Sequence, residues 1–141
     1  MLMSDVVLLA KGETIERCVL RARAALETST DFAHDFNAQD IAVVNVSRAC
    51  EACIDIAMRL IKLHKLGLPS TSSEGFLMLA QHKFIDYGLA EKMTRMVGFR
   101  NVAVHAYTKI DYDIVASVIR LGLDDVLNYV GITLTIDAPQ T

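Results

Sequence analysis

Along this chain the apolar residues recur mostly at steps of three and four, the spacing of an amphipathic helix, not the alternation of a strand. From Val6 to Leu26 the residues Leu9, Ile15, Val19, Ala22 and Leu26 follow that period with Arg17, Arg21 and Arg23 between them. Gly12 weakens the pattern without ending it. The polar stretch Thr28 to Gln39 then interrupts the periodicity, and Asn37 with Asp40 three residues on resembles a capping pair. A second helix is expected from about Ala38 to about His64, on Ile41, Val44, Cys53, Ala57, Leu60 and Ile61. It closes at Leu66-Gly67-Leu68-Pro69, where Gly67 supplies a left-handed cap and Pro69 forbids continuation. Thr71 and Glu74 have capping-box spacing ahead of Phe76, Leu77 and Leu79, which predicts a short third helix. After a break around Asp86 to Gly88, a fourth helix is expected from about Leu89 to His105 on Met93, Met96, Val97, Val102 and Val104. Tyr107 to Ile110 forms a link, and Asp111 caps a fifth helix on Ile114, Val115, Val118, Leu121, Leu127 and Val130. Ile132, Leu134 and Ile136 alternate with Thr133, Thr135 and Asp137, so about 131–141 reads as a short extended tail. Short loops and the absence of any repeat or linker predict one all-α domain over 1–141, an antiparallel bundle of about five helices.

Composition sharpens this picture. Hydrophobic residues make up 52% of the 141, somewhat above the roughly 45–50% usual for a soluble domain, which implies apolar surface in search of a partner. The first apolar run, Val6 to Ala10, follows Asp5 and not a basic segment, and it is far shorter than a span needs. Neither a signal peptide nor a membrane span is expected. Three cysteines, Cys18, Cys50 and Cys53, are too few and odd in number for a disulfide scaffold, so the expected compartment is the cytoplasm. With a net charge of -3, any phosphate-binding site has to be local, because no basic surplus advertises nucleic acid.

Several residue groups are candidates for chemistry. Cys50 and Cys53 have the CxxC spacing of thiol–disulfide enzymes, but they fall inside a helix with no preceding strand, where small thiols serve as core packing. Cys18 with His34, His64 and His82 supplies no recognisable zinc-ligand spacing, so neither metal nor cofactor is expected. Glu51 and Asp55 share a helix face and read as a solvated stripe in pairing range of Arg48 or Arg59; Glu51, between two residues that read as buried, also has the option of facing a groove. The most informative stretch is Gly98 to Tyr107. At about 100° per residue Asn101 and His105 lie one turn apart on one face, while Arg100 lies about 140° from His105 around the axis. Spacing alone leaves two readings open: a polar site, or an Arg, an amide and a His that cap carbonyls or pair with acids near a helix end.

The pattern Arg100-Asn101-x3-His105-x-Tyr107 resembles the R-x4-H-x-Y motif of HepT-like toxins, a branch of the HEPN superfamily of small helical proteins. The flanking residues Met96 to Tyr107, Asp111 and the last amphipathic helix resemble that family as well, and a looser likeness covers about residues 37 to 130. The resemblance implies a homodimeric endoribonuclease in which two copies of the motif meet across a cleft. It makes Arg100 the phosphate clamp and His105 the proton-transfer group, supported by Asn101 and Tyr107. It also implies a partner, an MntA-type nucleotidyltransferase antitoxin that attaches AMP to the motif tyrosine, here Tyr107. Because no metal-ligand spacing is evident, the expected reaction is metal-independent and leaves a 2′,3′-cyclic phosphate and a 5′-hydroxyl. Lys92, Arg95 and Arg100 are candidates for a local basic rim, with Arg48 and Arg59 less securely placed. The alternative the sequence leaves open is a non-catalytic helical module that binds or scaffolds the nucleotidyltransferase and its substrate.

Overall fold

Every α-helix start but the last is set by a short polar side chain. In the computed structural model, which describes residues 5–136, Asp5 accepts from the Leu8 N–H at 3.0 Å and opens α1 (Val6–Thr28). Asp35 opens α2 (Phe36–Leu63) by accepting from Ala38 N–H at 3.0 Å, so it replaces the expected Asn37 and Asp40 pair as the cap. Thr71 caps α3 (Ser72–Gln81) through the Glu74 N–H at 3.1 Å. Glu74 reaches back one residue further than a capping box does, to the backbone N–H and hydroxyl of Ser70. Asp86 opens α4 (Tyr87–His105), two residues earlier than expected. Asp111 caps α5 (Tyr112–Ser117), which passes through a π turn at Val118–Gly122 into α6 (Leu123–Thr133).

α1 and α2 form an antiparallel hairpin: the contacts Asp5–Arg59 at 2.9 Å and Lys11–Asp55 at 2.9 Å run forward on one helix and backward on the other. Small residues let the backbones approach. Ala22, Ala42, Ala49, Cys53 and Ala57 are all fully buried along this seam and its neighbours. Gly12 is part of the same economy of space, because a methyl group there would lie 2.6 Å from Leu134 Cδ1 beyond α6. The centre of the core is Tyr129 of α6: its ring meets Phe76 of α3 edge-on with centroids 5.5 Å apart, and its hydroxyl donates to the Cys53 carbonyl of α2 at 2.9 Å. One residue thereby ties three helices together.

Three expectations change. Gly67 is not the cap of α2. Lys65 takes the left-handed conformation (φ 55°), with Lys65 N–H donating to Lys62 O and Leu66 N–H to Ile61 O, a Schellman ending. The last helix is not one uninterrupted period, since the π turn re-phases it: Val115, Ile119, Leu123 and Val126 face the core while Ile114 and Leu121 are exposed. The extended tail is absent from its described part, because α6 continues through Thr133 and 134–136 form a turn; residues 137–141 lie outside the described residues. Leu9, Ile41, Val44, Val102 and Val104 also fit the apolar period yet are exposed. Among the described residues no helix is long and apolar enough to cross a membrane.

Candidate active site

The site is built at the C-terminal end of α4. Buried Met93, Met96 and Val97 hold one side of that helix against the core. Arg100 and Val104 follow Met93 and Val97 at seven residues, on the same side of the helix, and Asn101 and His105 continue that arc; Arg100 is half-buried, while Asn101, Val104 and His105, toward the helix end, are exposed. α4 ends at His105, where Ala106 leaves helical geometry (φ -141°, ψ 44°) while its N–H still bonds Val102 O at 2.9 Å. The chain then enters a short 3₁₀ turn, Tyr107–Lys109, so Tyr107 sits just past the helix end as its spacing implied. The Tyr107 side chain lies outside the described residues.

The motif residues are not equivalent. His105 is exposed and forms no hydrogen bond among the described residues. Arg100 is held: its side chain is 23% exposed, and its Nε donates to Glu51 Oε1 at 3.1 Å while Nη2 donates to the same oxygen. Its Nη1 donates to Asn101 Oδ1 at 3.0 Å. Asn101 is therefore engaged with Arg100 and not with His105. Glu51 reaches the site from the middle of α2 and was legible only as a carboxylate with the option of facing a groove. Arg48 and Arg59 do not pair with the α2 carboxylates: Glu51 takes Arg100, Asp55 takes Lys11, and Arg59 takes Asp5.

The rim is less basic than its residue count suggests. Lys92 contacts Asp125 at 3.5 Å, and Arg95 contacts Glu91 at 3.4 Å. Arg48 is exposed and makes no ion pair among the described residues, one turn before Glu51 on α2. An apolar groove of about 310 Å³ adjoins the other side of α4, lined by Phe99, Val102, Ile110 and Ile114 among others.

The remaining candidates resolve as structure. Cys50 and Cys53 are buried in the interior of α2; burial pushes the Cys50 thiol up to about 12 and Cys53 well above the ordinary range. Neither has the depressed pKa a redox thiol needs. Among the described residues no cluster of three or more His, Cys, Asp or Glu side chains is placed to hold a metal ion. His64 and His82 are the C-cap residues of α2 and α3, and His34 pairs with Asp31 at 2.9 Å.

A family model described as ribonuclease HepT-like matches residues 15–131. The chain belongs to the HepT-like family. It is 37% identical over 130 residues to the mRNA nuclease HepT of Shewanella oneidensis, covering 92% of this chain and 97% of that protein. Two solved structures are similar across nearly the whole HepT-like fold. One is a tri-AMPylated Shewanella oneidensis HEPN toxin in complex with an MNT antitoxin (TM-score 0.87, 36% identity, 91% of this chain and 96% of that one). The other is a toxin–antitoxin complex with AMP-PNP (TM-score 0.87, 35% identity, 92% of this chain and 98% of that one). A cytosolic Bacillus subtilis protein of unknown function shares the fold at 14% identity (TM-score 0.74). The all-α architecture expected from the helical periodicity is the one observed, and it has the HEPN form that the motif resemblance implied.

Proposed function

We propose that this chain is the ribonuclease toxin of a toxin–antitoxin pair, acting as a homodimer in the cytoplasm and restrained by a nucleotidyltransferase. The observation that carries this reading is the end of α4, which presents a held guanidinium, Arg100, and an exposed imidazole, His105, with no hydrogen bond among the described residues, in a chain of the HepT-like family.

In this reading His105 removes the proton from a ribose 2′-hydroxyl, and the resulting oxygen attacks the adjacent phosphorus. The bond to the 5′-oxygen breaks, and that oxygen receives a proton from an imidazole as it leaves. The products are a 2′,3′-cyclic phosphate and a 5′-hydroxyl. Arg100 binds the phosphate and offsets the charge that builds on its oxygens in the transition state. Asn101 steadies the guanidinium. No residue is assigned to a metal or cofactor. The partner carries the shutdown chemistry: a nucleotidyltransferase transfers AMP from ATP to the Tyr107 hydroxyl, which loses its proton as the α–β phosphoanhydride bond breaks and pyrophosphate leaves, placing bulk and negative charge two residues from His105, where RNA phosphate has to approach. The tri-AMPylated state of the related toxin supports this assignment.

Purified wild type and His105→Ala are incubated with total RNA or tRNA in EDTA and the new ends are mapped. The wild type is expected to cleave and leave cyclic phosphate ends, while the variant loses about 10²–10⁴ of the rate, the usual contribution of a general acid or base. Absence of cleavage by an unmodified, dimeric wild type overturns the nuclease reading and leaves a non-catalytic module that scaffolds the nucleotidyltransferase. Cleavage that disappears in EDTA overturns metal independence alone.

A further inference from the structure

The motif spacing names Arg100 but says nothing of what holds it. A guanidinium has five N–H donors in a fixed planar fork, and three are engaged here: Nε and Nη2 on Glu51 Oε1, and Nη1 on Asn101 Oδ1. The carboxylate occupies the side edge of the fork and the amide occupies one N–H of Nη1, which leaves one N–H on each terminal nitrogen. Lys11–Asp55, Lys92–Asp125 and Arg95–Glu91 are single contacts, and Arg59 grips Asp5 through Nε and Nη2 alone; Arg100 adds a third engaged donor, on Asn101. The Arg100 side chain is at 23% exposure, and its acceptors come from two different helices. Such an arrangement removes the rotamer freedom of the longest side chain in the site before any substrate arrives.

We propose that Glu51 is the positioning residue for Arg100: from α2 it fixes the guanidinium so that the two remaining N–H groups meet the RNA phosphate in one orientation. This rests on the nuclease reading above. Glu51 does not touch the substrate. Its Oε2 accepts no hydrogen bond among the described residues, and its side chain is 51% exposed, so a change there spares the core.

The carboxylate has two opposite effects, and they separate kinetically. Its charge reduces the positive potential at Arg100 and weakens RNA binding, while its geometry holds the fork for the transition state. Glu51→Ala removes both. Turnover is therefore expected to fall about tenfold or more, since small displacements of a clamp are costly in rate, while KM stays level or falls. Glu51→Gln retains an acceptor oxygen in the same place without charge, and it is expected to recover most of the lost turnover.

The test measures steady-state cleavage of one defined oligoribonucleotide by wild type, Glu51→Ala and Glu51→Gln. In parallel, the Arg100 Nε–H resonance and its exchange with water are followed by NMR, and thermal melts verify folding. The proposal is supported by a turnover loss in the alanine variant, rescue by glutamine, and a slowly exchanging Nε–H present in wild type and glutamine but lost in alanine. Equal turnover in wild type and Glu51→Ala overturns it, as does faster turnover, which would make Glu51 a brake. If wild type cleaves nothing, the nuclease reading fails by itself, and the resonance then decides whether Glu51 orders Arg100: identical exchange in all three proteins overturns the positioning role.

Discussion

Cys50 and Cys53 show how a residue pattern acquires or loses chemical meaning through burial. Both thiols sit in the α1–α2 interior at 2% and 0% exposure, where the thiolate is disfavoured because it cannot be solvated. A thiol-specific aromatic disulfide at pH 8 is expected to leave both unmodified in the native protein and to titrate them with Cys18 once urea unfolds the chain. Rapid labelling of the native protein would contradict the burial argument. The same shift makes stability depend on pH. Unfolded thiols ionise near their ordinary value of about 8.5, whereas Cys50 holds its proton to about 12, so this contribution is intact below that window and is lost progressively as pH rises through it. At this scale the sequence is readable where chemistry follows backbone spacing: Arg100, Asn101 and His105 stand on the arc their numbers require. Glu51 is 49 residues from Arg100, and a contact across two helices has no spacing to read. Tyr129 was missed for the same reason, since nothing in its helical period reveals that its hydroxyl finds the Cys53 carbonyl.

At the level of elements, two helices end by the same device. In His64-Lys65-Leu66 and His82-Lys83-Phe84 the histidine is the C-cap, the lysine adopts positive φ (55° and 65°), and the apolar residue donates its N–H back to the helix, Leu66 to Ile61 and Phe84 to Leu79. The two endings touch, because the His64 and Phe84 rings lie 4.8 Å apart. A side chain in the left-handed region is strained by about 1 kcal/mol or more, and glycine relieves that strain. Lys83→Gly is therefore expected to raise unfolding stability by about 0.5–1 kcal/mol, part of the relief being offset by the greater freedom of an unfolded glycine. Urea unfolding followed by circular dichroism measures it, and a drop in midpoint would show that Lys83 contributes something other than backbone geometry. Helix number, order and most starts were legible because the Asp and Thr caps and the three-to-four periodicity are local signals. Gly67 misled because glycine is the commonest left-handed residue, yet the hydrogen bonds close two residues earlier at Lys65. The π turn at Val118–Gly122 was invisible because it changes the phase of an apolar face without changing its composition.

For the whole molecule, part of the exposed apolar surface lies beside the motif, although Leu68, Val6, Leu121 and Leu20 are exposed elsewhere. The core absorbs Val115, Ile119, Leu123 and Val126, but Ile41 and Val44 of α2 and Val104 of α4 remain 42–47% exposed. Glu51 binds Arg100, and the Phe32–Tyr112 ring contact at 6.4 Å brings the start of α5 against the segment before α2. The chain from Arg100 to Tyr112 therefore runs along the α2 half that carries Val44 and Ile41. Val104 projects between Arg100 and Asn101 on the motif arc. A face that mixes apolar side chains with the proposed reacting groups is suited to a second copy of itself: two such faces would bury the valines and bring two imidazoles near one phosphate, one to take a proton and one to return it. In light scattering, wild type is then expected at twice the 15.5 kDa chain mass. Val104→Asp, which sets two carboxylates against each other across a two-fold axis, is expected at the chain mass with an unchanged helical spectrum. Its RNA cleavage is expected to fall with the dimer and to return in part at high protein concentration. A variant that stays dimeric would move the contact away from the motif, and a monomeric, fully active variant would show that one chain holds a complete site.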